Sequence, residues 1–472
     1  MKNPFPFSIV KKSIITYLLV LMTVAFIYPR YALDFQWMLF GVAEVFFFFY
    51  YSQKQNVKWI GYSQKKFCKT IFYTALIIRV AYVIFSYVYY DIATGQPFEY
   101  DAMDSVNYNS KALWILEMFR TNNLKEYNKF LTEELSDAGY ASYLAFIYNF
   151  TWDSIFVVRI LKALWGALIC LLIYKLASRN FGENIGRLSA VFCLFMPNLV
   201  YYCGLHVKEI ELTLLTVFFV ERTDFFLRQN KVSMLQIILL LFIAAITFSF
   251  RTALGAVLFV SFGFTVFFTS KKVISVTKRI LIGLVSVIFI LSVIWSNLRI
   301  RYDIQKIWET GGSEQKANME WRAQRSNGNE FAKYAGAAVF APLIFTIPFP
   351  TIVETPNQEN QKMINGGNYC KNVFSFFTIV SVFALFFSGE WRKNVLMLSV
   401  FIGYLLVLVF SSFAQSERFH LPILPFATIM FSYGIYYVAQ KRKMKFFNYW
   451  LIFIFIALIA WSWFKLAGRG LV

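Results

Sequence analysis

Two carboxylates three residues apart, Asp101 and Asp104, open a water-facing loop just beyond an apolar stretch that runs from Lys69 to Tyr90. A carboxylate where a membrane span meets water is costly to desolvate and well placed to accept a proton from a hydroxyl nucleophile. A charged neighbour and partial burial would hold its pKa where a base is useful. If a helix has begun by residue 101, the pair shares one face, with Tyr108 one turn beyond Asp104 and Ala112 beyond that. A competing reading makes Asp101 or Asp104 the cap of a helix that starts near Met103, a frequent use of aspartate. The spacing leaves both readings open.

A base at this border needs cations nearby if the departing group is a lipid phosphate, because such groups are held by Coulomb attraction and charge-assisted hydrogen bonds. Lys208, Arg251, Arg418 and His420 all fall at predicted outer ends of apolar spans. Arg251, in Phe250-Arg251-Thr252 between two apolar runs, is the strongest candidate; its alternative is an arginine snorkelling to the interface. Lys208 has Glu209 and Glu211 as rival partners, and Arg418 has Glu417. Arg79, Arg159 and Lys162 lie deeper, where an ionisable residue is a functional candidate by default. Arg159 and Lys162 share a helix face, and a structural ion pair with Asp153 or Glu44, or contact with a lipid headgroup, accounts for them.

The elements that must position these groups are membrane helices. Of 472 residues, 58% are hydrophobic and 20% aromatic, with mean hydropathy +0.55, against about 45–50% apolar in a soluble domain. Apolar runs of roughly 20 residues, the length that crosses a hydrocarbon core, recur along the chain. The fold class is therefore all-α, a polytopic transmembrane helical protein. A net charge of +20 does not imply nucleic acid, since the basic residues form no continuous face with interleaved aromatics. They gather in short connectors such as Lys65-Lys66 and Lys441-Arg442-Lys443, the pattern of cytoplasmic loops beside anionic lipid. Five scattered cysteines and two histidines offer no metal-ligand spacing and no disulfide framework.

About thirteen spans are predicted, at 13–29, 35–51, 70–90, 153–176, 185–203, 206–227, 232–250, 252–269, 279–296, 372–388, 394–411, 420–439 and 446–466. The first reads as an uncleaved anchor, because Tyr28-Pro29-Arg30 offers no small-residue cleavage site. With the N-terminus inside, the connectors at 52–69, 175–187, 228–231, 270–279, 389–393 and 440–445 are all inside and all basic. Five regions follow: N-terminal spans (1–90), an external acidic loop with short helices (91–152), a transmembrane core (153–296), a second external loop (297–371) and C-terminal spans (372–472). In the acidic loop, 103–120 and 122–136 read as two short helices, and 139–152 is too short to cross. In the second loop, 334–350 carries Pro342, Pro348 and Pro350 and reads as a re-entrant or interfacial helix.

The spacing of Asp104, Tyr108 and Ala112 resembles the first external loop of GT-C glycosyltransferases, the polyprenyl-phosphate-sugar-dependent membrane enzymes related to protein O-mannosyltransferases and aminoarabinose transferases. Phe181-Gly182 to Gly186-Arg187-Leu188-Ser189-Ala190, followed by Pro197-Asn198 to Lys208-Glu209, is similar to that family's second helical hairpin. Arg418-Phe419-His420-Leu421-Pro422 to Pro425 resembles a late external motif. The resemblance covers residues 95–440 in patches. It departs from the family in that the acidic loop follows the third span rather than the first, and the two acids are separated rather than adjacent. It implies an inverting transferase with Asp104, or else Asp101, as the base. Tyr108, Lys208, Glu209, Arg251, Arg418 and His420 would bind substrate. The donor would be a polyprenyl-phosphate sugar; the acceptor hydroxyl would lie on a glycan, lipid or protein at the outer face of a bacterial inner membrane. No cofactor is required, although a divalent cation could assist. Two other functions remain: a polysaccharide polymerase or ligase gripping a lipid pyrophosphate through Arg322 and Arg325, and a lipid-linked-glycan flippase or transporter.

Overall fold

A computed structural model describes residues 5–133, 135–229, 233–269, 275–296, 301, 343–410 and 414–472. Among the described residues the chain is helical, with one isolated β-bridge between Ala32 and Val353. Six helices are long and apolar enough to cross a membrane, or seven if one bent pair counts as a single span. The predicted all-α polytopic class holds, whereas the thirteen predicted spans are not confirmed. Part of the difference is composition. The helix over Glu209–Arg228 carries Glu209, Glu211, Glu221, Arg222, Asp224 and Arg228, too many charges to satisfy that criterion.

The N-terminal part consists of α1 (Phe7–Ile27), α2 (Phe35–Phe46), α3 (Ser52–Trp59) and the long α4 (Gln64–Thr94). The acidic loop then folds as α5 (Met103–Arg120), α6 (Leu124–Glu133) and α7 (Leu135–Thr151). The first two match the predicted helices to within a few residues. The core follows as α8 (Ile155–Phe181), α9 (Glu183–Phe195), α10 (Pro197–Tyr201), α11 (Glu209–Arg228), α12 (Met234–Phe250), α13 (Thr252–Phe268) and α14 (Val276–Ser296). The last part holds α15 (Glu359–Met363), α16 (Asn365–Ser388), α17 (Val395–Phe410), α18 (Glu417–His420), α19 (Leu424–Gln440) and α20 (Lys445–Ala467).

Pro197 sets the shape of the core. The residue before a proline is driven out of the helical region, and Met196 is extended at ψ 113°. The chain bends there by 55° between α9 and the segment Pro197–Gly204. Proline also lacks the N–H that would bond the carbonyl of Cys193. Arg79 of α4 supplies the donors instead: Nη2 donates to the Cys193 carbonyl at 3.2 Å and Nη1 to that of Leu194 at 3.3 Å. Arg79, one of the three deep cations of the sequence, is thus a helix-break cap.

The second external loop departs from expectation. Residues 344–350 run as turns and extended chain rather than as a helix, and α16 begins at Asn365, seven residues earlier than predicted. Gly366 and Gly367, within the predicted loop, are therefore in the first turn of a helix. A Cβ on Gly366 would sit 2.4 Å from the carbonyl oxygen of Gly41 in α2 and 2.8 Å from Cβ of Glu44. Glu44 in turn accepts the Gly367 N–H at 3.0 Å, a carboxylate at a helix N-terminus. This assigns Glu44 to α16 and not to Arg159 or Lys162. Gly366→Ala is expected to lower stability by about 1–3 kcal/mol, the usual cost of overpacking; thermal unfolding in detergent, followed by tryptophan fluorescence, reads it.

Charges collect at both ends of the core. At one, Arg179 bridges Glu221 and Asp224, and Arg228 bonds Asp224 at 3.0 Å and donates to the Lys393 carbonyl at 3.1 Å. This end joins connectors predicted to be inside. Glu209 lies 15 residues before Asp224 on the same helix, roughly 22 Å away at 1.5 Å per residue. The groups that the sequence singled out surround Glu209 at that far end.

Candidate active site

Four elements converge on Glu209, at the N-terminus of α11. The tight corner between α12 and α13 is a single extended residue, Arg251, at φ −161°, so its side chain is thrust into the bundle rather than along a helix surface. Nη2 of Arg251 bonds Oε1 of Glu209 at 3.0 Å, Nη1 donates to the Tyr404 hydroxyl of α17 at 3.4 Å, and the guanidinium lies 4.3 Å from the ring centroid of Phe419. Arg251 does not snorkel. Arg418 of α18 donates through Nε to the same Oε1 of Glu209 at 2.5 Å, and through Nη1 to Oδ2 of Asp104.

The result is a row of alternating charge: Asp104, Arg418, Glu209, Arg251. Side-chain exposure falls from 59% at Asp104 to 19% at Arg418, 10% at Arg251 and none at Glu209. The acid at the wet end can meet a hydroxyl arriving from water, while the arginines behind it sit where attraction to an anion is little screened. Oε2 of Glu209 accepts no hydrogen bond. Lys208 is buried with its ammonium 5.5 Å from the ring centroid of Tyr108, so the third predicted cation borders the row.

Behind Tyr108 lies a second charged group. The Tyr108 ring meets Tyr140 of α7 edge-on at 5.0 Å, and Lys162 of α8 stands 5.2 Å from the Tyr140 centroid. Lys162 pairs with Glu211 at 3.3 Å and donates to the Val207 carbonyl. Residues two apart on a helix face different ways, which is why Glu209 serves the outer arginines and Glu211 the inner lysine. Arg159 donates to the Pro97 carbonyl. Lys162 is thus in a structural ion pair, with Glu211 rather than Asp153 or Glu44, and Arg159 is bonded to the backbone instead.

α5 is held over this floor by α7. The Tyr148 hydroxyl donates to Oδ1 of Asn109 at 2.6 Å and lies 3.2 Å from Nε2 of His206. Burial pushes that hydroxyl above its usual pKa, so it stays protonated and remains a donor. Tyr148→Phe is expected to cost about 1–3 kcal/mol by leaving Asn109 and His206 short of a partner, measurable as a lower unfolding temperature.

Not every predicted residue joins the row. Asp101 does not share a helix face with Asp104, because it precedes the helix in a left-handed conformation at φ 47°. Neither acid caps α5: the N-cap is Ala102, with no side-chain bond. His420 is buried on the far side of α18, where its Nδ1 accepts from Lys371 at 2.9 Å and its Nε2 donates to the Ala414 carbonyl at 2.8 Å. Arg418 turns away from Glu417, whose Oε1 is 3.4 Å from the Tyr202 hydroxyl. Arg322 and Arg325 lie outside the described residues. Tyr404 and Phe419 both touch Arg251; Phe419 belongs to the late motif, whereas Tyr404 was not flagged, since it reads as one more aromatic in an apolar run. Among the described residues no group of three or more His, Cys, Asp or Glu is arranged to hold a metal ion.

An apolar groove of about 680 Å³ runs between α13 and α17, lined by residues such as Val260, Phe264, Leu398 and Leu406. It reaches Ala253 and Gly403, neighbours in sequence of Arg251 and Tyr404. The groove thus comes within two residues, along the chain, of Arg251 and within one of Tyr404.

Residues 140–295, about a third of the chain, match the family described as dolichyl-phosphate-mannose-protein mannosyltransferase. The match supports a GT-C superfamily glycosyltransferase. It spans α8 to α14 and includes Lys208, Glu209 and Arg251, the buried half of the row. Asp104 and Arg418 reach that half from outside the matched segment. No curated protein matches the chain.

Proposed function

We propose that this chain is an inverting glycosyltransferase that moves a sugar from a polyprenyl-phosphate donor to an acceptor hydroxyl at the outer face of the membrane. The observation that carries the reading is the row Asp104–Arg418–Glu209–Arg251, with a water-exposed acid at one end and buried guanidinium groups behind it. Membrane glycosyltransferase activity with a polyprenyl-phosphate sugar donor has the support of the family match. The polyprenyl chain would lie in the apolar groove between α13 and α17, which comes close to Arg251 along the chain.

The donor phosphate would engage Arg251 and Arg418, with Lys208 beside them. Arginine suits this task because its fork of donors matches the oxygens of a phosphate. The acceptor hydroxyl attacks the anomeric carbon from the side opposite the phosphate, and Asp104 takes its proton as the new C–O bond forms. The bond from the anomeric carbon to the phosphate oxygen breaks, and its electron pair leaves with the phosphate. Charge growing on that phosphate is stabilised by the arginines already in place. One inversion at the anomeric carbon follows from one displacement.

Reconstitution with a radiolabelled polyprenyl-phosphate hexose, scanning acceptors from a matched membrane extract, tests the reading. Transfer of label is expected, with release of unlabelled polyprenyl phosphate. Folded protein that transfers from no such donor would remove it.

A further inference from the structure

Beside the start of α5, an open cleft of about 600 Å³ lies between the end of α4, the first turn of α5 and Glu359 of α15. That volume is typical of a small-molecule site. Its lining includes the carboxylates of Glu99, Asp101 and Glu359, the amide of Asn107 and the aromatic rings of Phe98 and Tyr100, and no lysine or arginine. Lys362, the buried lysine of α15, pairs with Glu354 and Glu359.

Glu99 marks the cleft as more than an acidic patch. It is 7% exposed, lines the cleft wall and takes one bond, from the Ser105 hydroxyl to Oε1; Oε2 accepts none. A buried carboxylate oxygen without a donor is costly. A ligand that reaches this oxygen must bring a donor, as a hydroxyl or an ammonium does and a carboxylate does not.

We infer that this cleft binds the acceptor, and that the acceptor is a neutral or amine-bearing glycan. This rests on the transferase reading and gives its second substrate a chemical class. Asn107 and Glu99 would take hydroxyls, Phe98 and Tyr100 would pack against the ring faces, and Glu359 and Asp101 would favour an amino sugar. Three carboxylates facing one cavity disfavour a phosphorylated or uronic-acid acceptor by like-charge repulsion. Asn107, which lines the cleft, stands three residues after Asp104 on α5 and so shares a helix face with it, which brings a hydroxyl of a sugar seated there within reach of the base.

Saturation-transfer NMR on the full chain in nanodiscs tests this without a donor. The probes are trimers of N-acetylglucosamine, glucosamine and galacturonic acid, and a threonine-containing peptide. The glucosamine and N-acetylglucosamine trimers are expected to bind at least tenfold more tightly than the galacturonate trimer or the peptide. Glu99→Gln and, at the exposed position, Asn107→Ala should each weaken that binding about tenfold. Equal or tighter binding of galacturonate or peptide, no binding of either amino-sugar trimer, or variants that bind as the parent does would each overturn the inference. Consumption of labelled donor is read separately, so failure of the transferase reading shows as an unused donor even where the trimers bind.

Discussion

Replacing Asp104 by asparagine is expected to reduce sugar transfer by about 10²–10⁴, the range that a positioned general base supplies, while leaving the fold intact and donor binding no weaker. Asparagine has the same shape and cannot take a proton. The side chain is 59% exposed and sits in the first turn of α5, where loss of its charge costs about 0.3–1 kcal/mol against the helix dipole. Arg418 keeps Glu209 as a partner, so the row stays in place behind the substitution. The measurement is single-turnover transfer from a labelled polyprenyl-phosphate hexose, with donor affinity taken from the same titration. Transfer at the parent rate would assign proton removal to another group, and Asp101, facing the neighbouring cleft, would be next to examine.

Glu209→Ala is expected to do the opposite to stability. Two guanidinium groups share one oxygen of a fully buried carboxylate. Removing that carboxylate leaves two cations poorly compensated, and breaking a buried pair costs about 3–5 kcal/mol. The unfolding temperature in detergent should fall by many degrees, and transfer should be lost with it, since Arg251 and Arg418 would no longer be aimed at one point. Glu209→Gln keeps the shape but not the charge and should fall between. The two substitutions separate the roles: the first abolishes chemistry in a stable protein, the second removes the frame. A stable, active Glu209→Ala protein would show that the row is incidental to both.

Much of this was legible in the sequence. Charge placed at the ends of apolar runs identified Asp104, Lys208, Arg251 and Arg418, because a charged side chain in lipid must end where water or a partner can reach it. The helices expected over 103–120 and 122–136 are present as Met103–Arg120 and Leu124–Glu133, the second starting only after the polar break Thr121-Asn122-Asn123. What failed depended on direction. Arg418 and His420 are two apart, which on a helix points them to different sides, so one joined the row and the other met Lys371. Asp101 and Asp104 have helical spacing but no helix spans both. The role of Glu209 as the hub of both arginines was beyond reach, because the contacts join residues 42 and 209 positions apart. The second loop was expected to run to residue 371, because Gly366-Gly367 signals a turn as readily as a close approach, and only the position of α2 decides between them.

The row is electrically balanced: two negative and two positive groups sum to zero. An incoming anion therefore meets no unclaimed attraction at Arg418. It has to exchange with the carboxylate of Asp104, and its gain is the difference between two pairings. A halide, which forms no fork with a guanidinium, loses that competition; a phosphate, with several oxygens, is able to win it. When it does, the displaced aspartate is freed of its counter-cation at the moment when a proton acceptor is wanted. Occupancy by the right headgroup and readiness of the base would then be one event.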